Sequence, residues 1–229
     1  MCRAACGKIG ENMQRGLIVS CQALPEDPLY SSFIMSRMAL AAQQAGAVGI
    51  RAHGLADIRE IQKIVRLPII GALDQTYSDR AAYITPTRKE VEALLPLKVE
   101  VIAVDATINA DENFLSRLKK EFPKQKFMAD ISTAVEAIRA AEDFGFDFIG
   151  TRLTGYTEQS KGLINFDVLD AIVDRLQVPI IAEGNFDTPD KARRALETGA
   201  YAVVVGGAIT RPQLIAKKFV DEIGKAHLS

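Results

Sequence analysis

Eight short apolar, β-branched runs, each followed by a stretch of helical periodicity, constrain this chain more than any other feature. The runs fall at residues 16–22, 47–52, 68–73, 99–107, 126–131, 147–153, 178–184 and 200–207. Most do not alternate apolar with polar positions, as expected of strands covered on both faces of a parallel sheet. Helix-period segments lie between them at residues 29–45, 55–65, 89–95, 112–122, 133–144, 165–175, 189–198 and 212–226. Dividing 229 residues among eight βα units leaves roughly 29 for each, the size of a compact (β/α)8 TIM barrel. No Pro/Ser-rich linker or low-complexity stretch interrupts the series, so the expected organisation is one α/β domain over residues 1–229. A doubly wound sheet with a nucleotide site would usually show a Gly-rich turn after its first strand. Here that place is taken by Cys21-Gln-Ala-Leu-Pro-Glu-Asp-Pro28, which has no glycine.

Start and stop signals agree with this division. Thr87-x-x-Glu90 and Thr133-x-x-Glu136 have capping-box spacing, and Thr188-Pro189 puts proline at a first helical position behind a capping hydroxyl. Gly46, Gly145 and Gly199 each close a helical segment just before a strand.

Composition excludes several functions. The 28 basic and 29 acidic residues give a formal net charge of -1, which argues against a nucleic-acid binder that works by neutralising phosphates. No apolar run approaches the ~20 residues of a membrane span. The first residues have no continuous apolar h-region, and Cys2, Cys6 and Cys21 are too few for a disulfide framework, so a reducing cytoplasm is expected. Histidine occurs only at His53 and His227, which makes a His-rich metal site improbable.

In such barrels chemistry sits at the C-terminal ends of the strands, and the loops after strands seven and eight often hold a phosphate. The expected ends carry Gln22, Arg51, His53, Asp74, Asp105, Thr107, Asp130, Thr151, Arg152, Glu183 and Gly206-Gly207. Strand seven runs out through Gly184-Asn185 and strand eight through Gly206-Gly207 towards Arg211. Small residues there let backbone N–H groups approach an oxyanion, and Arg211 adds charge-assisted bonds. The competing account is that these glycines only relieve crowding at the rim. Glu183 ends a buried strand, where desolvation raises a carboxyl towards a useful acid or base. An ion-paired structural carboxylate is the alternative. Asp130 serves equally well as a capping or orienting group, and Tyr83 and Tyr156 read as packing or rim residues.

At this point the residues resemble a family. Gly16-Leu-Ile-Val-Ser-Cys-Gln-Ala-Leu-Pro25, Tyr83-Ile-Thr-Pro-Thr87, Asp105-Ala-Thr107 and Met128-Ala-Asp-Ile-Ser-Thr133 are similar to blocks of N-acylglucosamine-6-phosphate 2-epimerases, also called N-acetylmannosamine-6-phosphate 2-epimerases. So are Gly155-Tyr-Thr157, Ala182-Glu-Gly184 and Val203-Val-Val-Gly-Gly-Ala-Ile-Thr-Arg-Pro212. The resemblance covers nearly the whole chain. It implies a cytoplasmic barrel enzyme of sialic-acid and amino-sugar catabolism, acting on a sugar phosphate without a cofactor or metal. Such an enzyme removes the C2 proton of the open-chain sugar and returns one on the opposite face. Glu183, which matches the family, and His53 and Asp74, which do not, are the candidate acid/base groups, while Gln22, Arg51, Asp130, Arg152 and Tyr156 are candidate substrate ligands. Gly184, Asn185, Gly206, Gly207 and Arg211 are candidate phosphate ligands. Such barrels often pair, so a homodimer is expected, with Met35, Met38 and Leu40 able to contribute. For each of those three singly, packing against the barrel is the better account.

The chain departs from the family pattern on one face. The family carries a lysine after Pro-Ile-Ile-Gly and two apolar residues, whereas this chain reads Pro68-Ile-Ile-Gly-Ala-Leu-Asp74. His53 stands where Asn is usual, Arg152 where a small hydroxyl residue is usual, and Asn109 where Arg often follows. One account redistributes proton transfer to His53, titrating near neutrality, and Glu183. The other keeps sugar-phosphate binding with weak turnover, or turnover of a related sugar phosphate. A Schiff-base aldolase needs an inward lysine at a strand end, and Lys126 and Lys161 are not so placed.

Overall fold

The computed structural model describes residues 13–226, so Cys2, Cys6 and His227 lie outside the described residues. Each expected apolar run contains a strand: β1 Gly16–Cys21, β2 Gly49–His53, β3 Ile69–Ala72, β4 Val101–Asp105, β5 Lys126–Asp130, β6 Phe148–Gly150, β7 Ile180–Glu183 and β8 Ala202–Val205. All neighbours are parallel, and β8 returns to β1 through Gly16↔Ala202 and Val19↔Val205, closing the barrel. The helices are α1 Ser32–Gln44, α2 Leu55–Ile64, α3 Arg88–Leu94, α4 Glu112–Glu121, α5 Ala134–Glu142, α6 Asn165–Val173 and α7 Pro189–Thr198. After β8 come two helices where the sequence suggested one, α8 Gly207–Thr210 and α9 Pro212–Ile223.

The missing alternation has a plain cause, because two apolar environments flank the sheet. Outward residues such as Val19, Ile50, Ile102, Phe127 and Ile149 pack under the helices. Inward residues Ile18, Ile70, Ala72, Val101, Ala103, Met128, Phe148, Ile181 and Val204 fill the barrel as a separate cluster. Continuing that inward phase by two residues towards the strand ends replaces apolar groups with Asp74, Asp105, Asp130 and Glu183, and by four residues from Phe148, past Gly150, with Arg152. The period of two thus stacks a polar layer on an apolar floor.

Caps follow the sequence in part. Thr133 and Glu136 form the reciprocal capping box, with Glu136 N–H donating to Thr133 Oγ1 at 3.3 Å and Thr133 N–H donating to Glu136 Oε2 at 3.0 Å. Thr87 accepts from Lys89 N–H, but Glu90 does not complete a box; its carboxylate instead accepts from the Tyr77 and Thr87 hydroxyls. Residues 73–86 fold back antiparallel beside the end of β3, with Thr85 N–H on Leu73 O at 2.9 Å and Gln75 N–H on Tyr83 O at 2.8 Å. This return brings Tyr83 to the barrel mouth. Met35 is fully buried, and Met38 and Leu40 pack on the core, so these side chains serve α1 docking rather than an outer surface. An exposed apolar patch lies on α9, where no residue is buried and Phe219, Val220 and Ile223 are exposed.

Candidate active site

Arg51 organises the polar layer. Its side chain is fully buried, and its Nη1 and Nη2 donate to Asp130 Oδ1 and Oδ2 at 3.1 and 2.6 Å. Nη1 also donates to Glu183 Oε2 at 2.9 Å. Burial opposes the charged guanidinium, but Asp130 and Glu183 outweigh it and raise its pKa. Gly150 leaves room for this arrangement, since a Cβ there would stand 2.9 Å from Asp130 Oδ1.

His53 hangs from the same arginine. Arg51 Nε–H donates to His53 Nε2 at 3.3 Å, which puts the ring proton on Nδ1, from where it donates to Asp74 Oδ1 at 3.0 Å. Burial lowers the His53 pKa to about 4 despite Asp74, with Arg152 and Arg51 adding to the fall. The expectation that His53 titrates near neutrality is therefore corrected: at pH 7 it is a neutral donor. Burial alone would raise Asp74, but His53, Arg152 and Arg51 together hold it below its ordinary value, as a carboxylate.

Glu183 sits opposite. Its Oε1 accepts from Arg152 Nη1 at 3.2 Å. Burial pushes its pKa up, against Arg51 and Arg152 and with Asp130 adding to the rise. Thr151, one of the expected polar strand ends, and Asn165, which the strand-end pattern does not include, hold the Glu183 backbone. The Thr151 hydroxyl donates to Glu183 O at 2.8 Å and accepts from Glu183 N–H at 2.9 Å, while Asn165 Nδ2 donates to the same carbonyl at 2.7 Å. Nothing in the local pattern of α6 marks Asn165, because its partners come from the ends of β6 and β7. Asp105 is spent locally, accepting from Thr107 N–H and Oγ1 at 3.1 and 2.7 Å and from Tyr83 N–H at 3.3 Å.

A cavity of about 540 Å³ opens above this layer. Asp74, Arg152, Tyr156, Glu183 and Gln22 line it, together with Gly184, Asn185, Gly206, Gly207 and Arg211. Arg51, His53 and Asp130 are buried and are not among the lining residues; they reach the cavity through Glu183 and Asp74. Tyr83, a rim residue as expected, and Lys218, which lies outside the strand-end pattern, also line it. At the end formed by the loops after β7 and β8, Gly184 and Asn185 have φ of 95° and 57°. A Cβ on Gly184 would lie 2.6 Å from Asn165 Nδ2, so glycine is required there both by conformation and by space. Gly206 crosses close to Ser20, leaving 3.3 Å to its Cβ from an added Cβ. Arg211 stands at this end, with Nε 3.5 Å from Asp27 Oδ2.

Residues 35–225 match the profile of the family described as "Putative N-acetylmannosamine-6-phosphate epimerase". The chain belongs to this family. A relative from Borreliella afzelii (strain PKo), described as "Putative N-acetylmannosamine-6-phosphate 2-epimerase", is 49% identical over 226 residues, covering 94% of this chain and 97% of its own. One from Listeria monocytogenes serovar 1/2a, with the same description, is 49% identical over 225 residues, covering 94% of each chain. The solved N-acetylmannosamine-6-phosphate 2-epimerase from Clostridium perfringens superposes with a TM-score of 0.85 at 49% identity, covering 90% of this chain and 92% of that one. An aldolase from Escherichia coli K12 shares the fold alone, at 13% identity and a TM-score of 0.57.

Within this epimerase-family barrel, three of the four departures from the family pattern fall together. His53 is bonded to Asp74, and Arg152 is bonded to Glu183 while its charge also acts on Asp74. Asn109 is exposed, outside the cavity.

Proposed function

We propose that this protein is an amino-sugar-phosphate 2-epimerase that interconverts N-acetylmannosamine 6-phosphate and N-acetylglucosamine 6-phosphate. One observation carries the reading: a single cavity in a barrel of this family has proton-transfer carboxylates, Asp74 and Glu183, at one end and the Gly184-Asn185 and Gly206-Gly207 loops with Arg211 at the other. A phosphate at the second end places the sugar's C1 and C2 over the first. Removing the C2 proton of the open-chain sugar forms an enolate, and Arg152, on the cavity wall beside Glu183, supplies positive charge to it. Arginine stays protonated and takes no part as a base. Gln22 and Tyr156 contact the sugar, while Arg51 and Asp130 hold Glu183 from below. No cofactor is needed for deprotonation and reprotonation next to a carbonyl.

The lysine absent at Asp74 favours a second reading, a sugar-phosphate-binding paralogue with little turnover. Proton NMR of the purified protein with N-acetylmannosamine 6-phosphate in deuterated water separates the two. Loss of the C2 proton signal with growth of the gluco epimer is the expected result; binding without either supports the paralogue. A cytoplasmic location is proposed on the buried free thiol of Cys21, and no helix of the described residues is long and apolar enough to cross a membrane. A homodimer is proposed on α9, whose Phe219, Val220 and Ile223 are each more than 60% exposed and would gain burial against a second chain.

A further inference from the structure

Asp74, bonded to His53, stands on one wall of the cavity, and the strand order sets what lies opposite it. In the closed order β1 to β8, β3 and β7 are four strands apart and face each other across the barrel. Asp74 follows β3 and Glu183 ends β7, and both side chains line the same cavity. A carboxylate fixed on one wall reaches one face of a planar enolate, whereas inversion at C2 needs both faces served. Both groups are fixed. Asp74 Oδ1 is tied to His53 Nδ1–H at 3.0 Å, and Glu183 is held by Arg51 at 2.9 Å and by Arg152 at 3.2 Å. Asp74 Oδ2 has no hydrogen bond among the described residues, and the side chain is 30% exposed towards the mouth.

We infer that Asp74 and Glu183 work as a two-base pair, each exchanging a proton with one face of C2. The inference rests on the epimerase reading and divides its chemistry between two walls. For the epimer whose C2 hydrogen faces Asp74, the C2–H bond breaks towards Asp74 Oδ2. Its electron pair forms the C1=C2 bond, and the former carbonyl oxygen becomes an enolate beside Arg152. Protonated Glu183 then delivers its proton to the other face of C2, and the C1 carbonyl re-forms. Asp74 finishes protonated and Glu183 ionised; exchange with water at the mouth restores them, or the opposite epimer runs the same steps backwards. The two groups are shifted in opposite senses, Asp74 downwards by its charged neighbours and Glu183 upwards by burial.

The test follows C2 proton exchange and epimerisation separately, in deuterated water, for both N-acetylhexosamine 6-phosphate epimers. Wild type, Asp74→Asn and Glu183→Gln are compared, with circular dichroism confirming that each is folded. The wild type is expected to epimerise, its early product carrying deuterium while remaining substrate does not. Each variant is expected to lose epimerisation by roughly 100-fold or more, the usual weight of one acid/base group. Asp74→Asn should still exchange the C2 proton of one epimer only, and Glu183→Gln that of the other. Epimerisation by Asp74→Asn within threefold of wild type, or absence of the reciprocal exchange pattern, overturns the two-base inference while leaving the epimerase reading intact. A wild type that neither exchanges nor epimerises overturns the epimerase reading itself, and the inference with it.

Discussion

Arg51→Met removes the one cation that two buried carboxylates share, and its cost can be worked from the site. Methionine is unbranched and fills much of the arginine's volume, so the loss is electrostatic rather than a cavity. Asp130 is fully buried and loses both of its guanidinium bonds; Glu183 keeps Arg152 but loses the 2.9 Å bond. Breaking a buried pair by removing one partner costs about 3–5 kcal/mol. Protonation sets a ceiling on the cost, because a stranded carboxylate can neutralise itself. Holding a proton on a group with an ordinary pKa near 4 costs about 4 kcal/mol at pH 7 and only about 1.4 kcal/mol at pH 5. The stranded carboxylate has a folded-state pKa above its unfolded value, so the variant's stability falls as pH rises. The expected deficit is therefore about 3–4 kcal/mol at pH 7, narrowing by about 2 kcal/mol at pH 5. For a chain of this size that is a fall in Tm of roughly 6–16 °C at neutral pH. Urea unfolding followed by far-ultraviolet circular dichroism is the appropriate assay, since the chain has no tryptophan. A deficit below about 1 kcal/mol at pH 7, or one that does not shrink at pH 5, refutes the reasoning.

Three further outcomes are expected. The His53 pKa falls from 6.5 to about 4 on folding, so the unfolded chain takes up the proton first and wild-type stability drops as pH falls from 6.5 towards 4. Its full size is about 3 kcal/mol, and unfolding of His53→Gln across that window should lack this part of the slope. Asp74→Lys alone should lose most turnover, because the new ammonium meets Arg152 and Arg51 and leaves His53 Nδ1–H without its acceptor; the triple change His53→Asn, Asp74→Lys, Arg152→Thr should recover at least 10-fold over it, and equal rates for the two would show that the three positions are not coupled. Finally, Phe219→Lys with Ile223→Lys should convert a dimer to a monomer by sedimentation with little change in far-ultraviolet dichroism, whereas an unchanged sedimentation coefficient would rule out α9 as the contact.

Most of the fold was legible because its signals are local. Strand and helix periods, the Thr133–Glu136 box and the glycines behind α1, α5 and α7 are written within a few residues of one another. The failures are local too, but they depend on competitors from outside the local pattern. The Thr87-x-x-Glu90 spacing predicted a box, and Tyr77, brought back by the 73–86 excursion, took part of the glutamate instead. The polar identity of the strand ends was equally visible, since inward positions recur every second residue and Arg51, His53, Asp130 and Glu183 are all in phase.

What those groups do was not visible, because each role depends on partners far along the chain. Arg51 meets Asp130 across 79 positions and Glu183 across 132, and the pairing removes Arg51 and Asp130 from free use as ligands. Depth shifts these groups: burial makes His53 a neutral donor and raises Glu183, and it is outweighed by charged neighbours at Arg51 and Asp74. The sequence by itself determined the barrel, the active face and the list of polar groups on it, since periodicity and capping are short-range. Only barrel closure decided which groups touch, which are covered and which carboxylates oppose each other, because desolvation and Coulomb energies depend on distances that exist only once β8 has met β1.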